Sequence, residues 1–367
     1  MRKLIVYFTL LLLLLSGCST GTQIEELAIT LSTGIDEGTN GVTITSEILN
    51  TESKGGEEKG GKSAMSYYIE SVSGENANDA FSKQKFLHPK EITALHNKVL
   101  VFGEKTLQNG ITEIVSGFPR TDYLRGSNYI VAARGEARDI INSSSIENQS
   151  ISESIVQLIN RQGIKTKAVE FFKKSSSRNK RGSILPLLDN VETDGKKRLI
   201  ISGVALLNNG KLTGYLNEKE MSLVAVLLNQ GKNLRVKVKY KNKPVEVILS
   251  SGNIKRDCIF SYSKPKFIFK GDLFFKVDIA SFGEVTKTKD ISNLELLVRK
   301  ELKKRYTLLM KKILVEYQCD ALGFDDYLYR YRPSYWKVNH YKWNSILPEV
   351  ETDFKMNVTI KHVGIHS

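Results

Sequence analysis

The sequence predicts an α/β protein of the α+β type, multi-domain, with mixed or antiparallel sheets each covered by helices. Three observations carry this reading. Strand-like and helix-like segments alternate from Tyr67 through the first half. A block rich in β-branched and aromatic residues runs from Leu234 to Val285. A long amphipathic helix pattern and a cleanly alternating strand then close the chain. At 367 residues there is room for two or three domains with real cores.

The chain begins MRKLIVYFTLLLLLLSGCSTG, with Arg2 and Lys3 ahead of an apolar run from Leu4 to Leu15. Such a run spans about 18 Å as a helix, against a hydrocarbon core of about 30 Å. That is the length of a signal-peptide h-region, not of a membrane span. Leu15-Ser16-Gly17-Cys18 resembles a bacterial lipobox, whose thiol receives a diacylglycerol before cleavage exposes the cysteine. Residues 1–17 are therefore expected to be a lipoprotein signal peptide, and Cys18 the lipid attachment site, open to a further N-acyl chain. Two acyl chains, at roughly 0.8 kcal/mol per buried CH₂, hold a protein stably on a membrane.

A first strand reads from Glu26 to Asp36, and Gly38 to Gly41 supply turn chemistry. The segment Val42–Leu49 returns with β-branched alternation, which predicts a hairpin. Residues 51–63 form a polar glycine-rich loop. A helix starts near Ala77–Phe81, His96–Gly103 reads as a buried strand, and a helix passes through Ile111–Val115. The strand Tyr129–Ala133 and a helix from Ala137 follow. Polar stretches at 173–183 and 192–197 place a boundary there, giving an N-terminal α/β domain over 18–190.

The middle, strand-rich domain is expected over 198–290. Its opening strand, Leu199–Leu207, turns at Asn208-Asn209-Gly210 into Lys211–Leu216. Asn217 is a plausible N-cap for a helix over Glu218–Asn229. In Arg235–Lys241 every second residue is basic, so one face packs while the other meets water. The C-terminal domain, 291–367, holds the long helix Ile291–Tyr317, an aromatic segment, and the strand Phe354–Lys361.

Composition narrows the function. The formal charge is +14, but the basic residues are spread along the chain, and export argues against nucleic acid. Apposition to anionic lipid and plain solvated lysine explain the charge equally well. Cys258 and Cys319 sit in apolar company and read as buried free thiols. There is no His-Glu-x-x-His, Gly-x-Ser-x-Gly or P-loop pattern, and His88, His96, His340, His362 and His366 are scattered. No catalytic residue, metal site or cofactor is expected. The adjacent pair Asp325-Asp326 reads as a solvent-facing turn.

The segment 322–354 is dense in rings: Phe324, Tyr327, Tyr329, Tyr331, Tyr335, Trp336, Tyr341 and Trp343. Interleaved Arg330, Arg332, Lys337 and Lys342 imitate a nucleic-acid platform. Packing of the rings across the long helix accounts for them better. A partner-contact surface, if aromatic, is expected here, at Phe324, Tyr329, Trp336 and Trp343.

These motifs, in this order, resemble one family. Glu26-Leu27-Ala28-Ile29 with Thr33-Gly34-Ile35-Asp36 is similar to its opening strand and Gly-Ile-Asp turn. The segment His96–Glu104 resembles its H-x-K-x-x-x-x-G-E strand, and Ser202–Ala205 with Leu212–Glu220 its later hairpin and helix start. Asp320-Ala321-Leu322-Gly323-Phe324, with Tyr329-Arg330, Pro333, Trp336, Trp343 and Leu347-Pro348, is the most specific match. The chain thus resembles the C-subunit lipoproteins of the nutrient germinant receptors of endospore-forming bacteria, the Ger(x)C family. Many relatives follow the lipid cysteine with Trp-Asp, where this chain has Ser19-Thr20.

The resemblance implies an elongated lipoprotein of three α/β domains on the outer face of the inner spore membrane. Its partners would be an A subunit, a multispanning B subunit and, through the lipid, the phospholipid bilayer. It implies no enzymatic activity and assigns no pocket residue. A solute-binding lipoprotein of a membrane transporter is the alternative, and a tethered cell-wall hydrolase is third.

Overall fold

In the computed structural model of the chain, the described residues are 26–39, 41–51, 66–117, 125–143, 149–175, 182–193, 195–231, 233–261, 264–278 and 288–361. The expected signal peptide and Cys18, residues 52–65 of the glycine-rich loop, and His362 and His366 lie outside them.

The first sheet opens with β1 (Leu27–Gly38) and β2 (Gly41–Leu49), the hairpin read from the sequence, closed at Gly38↔Gly41. The strand β3 (Tyr67–Gly74) adds antiparallel to β2. Next comes helix α1 (Ala77–Leu87), whose N-terminus is capped by the Asn76 side chain. Strands β4 (Glu91–Thr93) and β5 (Val99–Phe102) both run parallel to β1. Short helices α2 (Glu104–Asn109) and α3 (Thr112–Gly117) precede β6 (Tyr129–Ala133), parallel to β5. Every residue of β5 is buried, and so are four of the five in β6, as central parallel strands covered on both faces require.

Helices α4 (Ala137–Ile141), α5 (Ile151–Gln162) and α6 (Ala168–Ser175) lead to β7 (Ser183–Thr193), parallel to β6. The strands β8 (Lys196–Asn208) and β9 (Lys211–Asn217) extend the sheet antiparallel, in the order β3-β2-β1-β5-β6-β7-β8-β9 with β4 beside β1. The boundary placed at residues 190–198 therefore falls inside this sheet. Thr193 pairs with Lys196, so the polar gap is a hairpin end rather than a linker. Turns and linkers share the same polar, glycine-containing composition, which is why they read alike.

The helix α7 (Glu218–Leu227) begins with a full capping box between Asn217 and Glu220. A second sheet follows: β10 (Arg235–Tyr240), β11 (Lys243–Ser261), β12 (Lys264–Val277) and β13 (Glu351–Lys361), in that order. Its first pairs are antiparallel, while β13 lies parallel to β12. The last strand thus completes the strand-rich unit, and the middle and C-terminal stretches share one sheet. Parallel pairing demands a long crossover, here the helical segment from Thr288 to Glu349.

That crossover starts with α8 (Thr288–Lys311), which ends in a π-helical turn at Lys312–Glu316. Leu294, Val298, Leu302, Tyr306 and Leu309 form its buried stripe over the apolar face of the sheet. The helices α9 (Phe324–Tyr331), α10 (Pro333–Asn339) and α11 (Trp343–Ile346) complete it. One apolar cluster runs from β8 through α7 and α8 to β13. The two sheets are joined through that core, helped by Lys312 to Glu220 at 2.8 Å and Asn208 to the Gln318 carbonyl at 2.7 Å.

Candidate functional site

The family-like motifs resolve into helix anchors. Asp36, from Gly34-Ile35-Asp36, accepts hydrogen bonds from the backbone N–H groups of Ala137 (2.7 Å) and Arg138 (2.9 Å) at the start of α4. Burial pushes its carboxyl up, against the lowering effect of those two donors. A side chain at Gly103 would drive a Cβ into the Asp36 carboxylate, which explains the glycine of Gly103-Glu104. Glu104 itself accepts from the Tyr215 hydroxyl (2.7 Å) and the Gly135 N–H (3.0 Å), tying β9 to the loop before α4.

Two further carboxylates do the same work. Glu47 of β2 accepts from the Ser32 hydroxyl (2.7 Å) and from the N–H groups of Ile151 (2.6 Å) and Ser152 (3.1 Å), opening α5. Desolvation raises its carboxyl while those donors pull it down. Asp320 accepts from the N–H groups of Phe324 (2.7 Å) and Asp325 (2.8 Å) and from the Trp343 indole (3.0 Å). Negative charge at a helix N-terminus is favourable, and more so in a partly dry setting. These acids were not marked as anchors by the sequence; the helix starts that Asp36 and Glu47 hold lie 101 to 105 residues away, and Trp343 lies 23 from Asp320.

The aromatic segment divides into core and surface. Phe324 is fully buried and stacks on Phe267 with centroids 4.1 Å apart. Trp336 and Trp343 are 6 % and 5 % exposed and meet edge to face at 5.6 Å. Arg256 reaches under this layer to the Leu322 carbonyl, its guanidinium pulled below its ordinary range by burial. Three of the four residues expected on a partner surface are therefore core residues, because the rings of this crossover must cover β11 and β12. Tyr329 alone of the four faces outward, at 58 %, with Tyr331 and Tyr341 also exposed nearby in the chain. Cys258 and Cys319 are buried free thiols.

A groove of about 680 Å³ lies between the N-terminus of α7, the β10–β11 edge and α8. Several of its charges are paired, Lys312 with Glu220 and Arg235 with Glu246, and Arg305 reaches outside the groove to Glu301 at 2.7 Å. The Arg305 fork also meets the carbonyls of Arg235 and Lys237 on β10. No histidine or cysteine lines it. Among the described residues no cluster of His, Cys, Asp and Glu has metal-binding geometry, and no helix is long and apolar enough to cross a membrane.

Two family models match the chain. One, described as "Spore germination protein N-terminal domain", covers residues 21–190. The other, described as "Spore germination B3/ GerAC like, C-terminal", covers residues 202–364. The chain belongs to the Ger(x)C family. Family members of known sequence include Spore germination protein YndF of Bacillus subtilis (strain 168), 27% identical over 398 residues, with 98% of this chain and 96% of that protein aligned. Spore germination protein B3 of the same organism is 23% identical over 370 residues, covering 96% and 95%. Of solved structures, the crystal structure of the GerBC protein matches 93% of this chain and all of that one, at a TM-score of 0.57 and 20% identity. That likeness supports the α+β architecture described above. The family ties this Ger(x)C chain to spore germination.

Proposed function

We propose that this chain is a membrane-tethered lipoprotein subunit of a nutrient germinant receptor, acting by protein–protein contact and not by catalysis. The observation that carries the reading is the pair of family matches, over residues 21–190 and 202–364, the first starting just past the lipobox Cys18. Cys18 would carry the diacylglycerol and N-acyl chain, and the folded body would stand on the outer face of the inner spore membrane. There it would assemble with the A and B subunits.

The transporter-type alternative calls for two doubly wound lobes about a hinge. The two sheets here have different topologies and share one core, which favours the receptor subunit. Solubilised inner spore membranes test the assembly. An affinity tag on the C-terminus should recover the A and B subunits, whereas recovery of a permease in their place would support the solute-binding alternative.

A further inference from the structure

We propose that the end of the first sheet at which the chain enters is a lipid-facing surface, with Phe86 and Leu87 seated in the headgroup region of an anionic bilayer. This rests on the tethered reading above and adds which face meets the membrane. Phe86 is the most exposed large apolar side chain among the described residues, at 88 %, and Leu87 beside it is 65 % exposed. Both sit at the C-terminal end of α1, where a folded protein gains nothing by presenting them to water.

The topology puts this end where the tether arrives. Leu27, the first residue of β1, pairs with Glu91 of β4, and its carbonyl accepts from the Thr51 hydroxyl. Lys90 donates to Thr51 at 3.1 Å. The strand β3 starts at this same end, with Tyr68 bonded to His88 at 2.7 Å, and α1 runs back to it. Only eight residues separate Cys18 from Leu27, a reach of at most about 32 Å when fully extended. A lipid on Cys18 therefore holds this end of the first sheet within that reach of the bilayer.

The charge agrees. Lys85 and Lys90 flank the exposed pair Phe86-Leu87, while Lys83 is held by Asp79 at 2.8 Å and Glu91 follows the stretch. Aromatic and aliphatic side chains framed by lysine suit a bilayer interface, where rings enter the headgroup layer and cations meet phosphate.

Full-length lipidated protein with Leu87→Cys, labelled with an environment-sensitive fluorophore, tests this on vesicles of phosphatidylglycerol and phosphatidylcholine. Native Cys258 and Cys319 are buried and Cys18 is acylated, so labelling is selective. The expected result is a blue shift and quenching by spin-labelled lipid at position 87, with neither at a Lys219→Cys control. Phe86→Ser in the same protein should reduce that shift without changing the thermal midpoint, since residue 86 is solvent-exposed. Flotation with the vesicles but a water-like probe at 87 overturns the lipid-facing surface and leaves the tether standing. No flotation of the wild-type protein overturns both.

Discussion

The indole Nε1 of Trp343 donates to Oδ2 of Asp320 across 3.0 Å, and the same carboxylate caps α9 through Phe324 and Asp325. One buried acid thus ties the start of α9 to the start of α11 within the helical crossover that β13 needs in order to pair with β12. Trp343→Phe keeps most of the ring and removes the donor. It should lower the unfolding free energy by about 1–3 kcal/mol, read from urea unfolding of the soluble chain. A change below about 0.5 kcal/mol would show that the bond does not anchor the crossover.

Gly103 and Asp36 make a coupled pair. Gly103→Ala places a methyl against the carboxylate that holds α4, and Asp36→Ala removes the cap, each costing about 1–2 kcal/mol. The double variant removes the clash with the carboxylate, so its loss should be smaller than the sum. Additive losses in that cycle contradict the explanation given for Gly103-Glu104.

Glu47 sets a pH dependence. Burial lifts its carboxyl above its ordinary 4.5, so the folded chain holds that proton more tightly than the unfolded chain does. Its contribution to stability is most favourable below about pH 4.5, falls as pH rises through the lifted value, and is constant above it. Glu47→Gln keeps an acceptor for Ile151 and loses the titration. The stability of wild type relative to Glu47→Gln should decline from pH 4 to pH 7, measured by urea midpoints; a difference flat in pH contradicts this.

The aromatic segment separates stability from contact. Phe324→Ala, in a fully buried stack, should cost about 3–5 kcal/mol. Tyr329→Ala should leave stability within about 0.5 kcal/mol, because the ring faces solvent. If the exposed rings touch a receptor partner, Tyr329→Ala will lower co-purification of that partner while the thermal midpoint holds. Unchanged recovery moves the contact elsewhere.

Much of this was legible in the residues. The period-2 pattern of Val42–Leu49 and the turn at Asn208-Asn209-Gly210 marked real hairpins, and Asn217 marked a real cap. Local signals of that kind depend on neighbours in sequence. Sheet membership does not: nothing local says that β13 returns to β12, or that Thr193–Lys196 is a turn and not a linker. The same limit applies to Phe324, Trp336 and Trp343. An aromatic run looks alike whether it is core or surface, and only the length of β11 and β12 beneath it decides that most of the rings must be spent as cover.

Nutrient-triggered germination of spores lacking this gene, complemented with wild type or Cys18→Ala and scored beside membrane fractionation, tests the central claim most directly. A tethered receptor subunit predicts that deletion abolishes the response to a particular nutrient. It also predicts that Cys18→Ala releases the protein from the membrane and weakens rescue. Normal germination of the deleted spores with every nutrient in a broad panel, with loss of uptake of one solute, would contradict it.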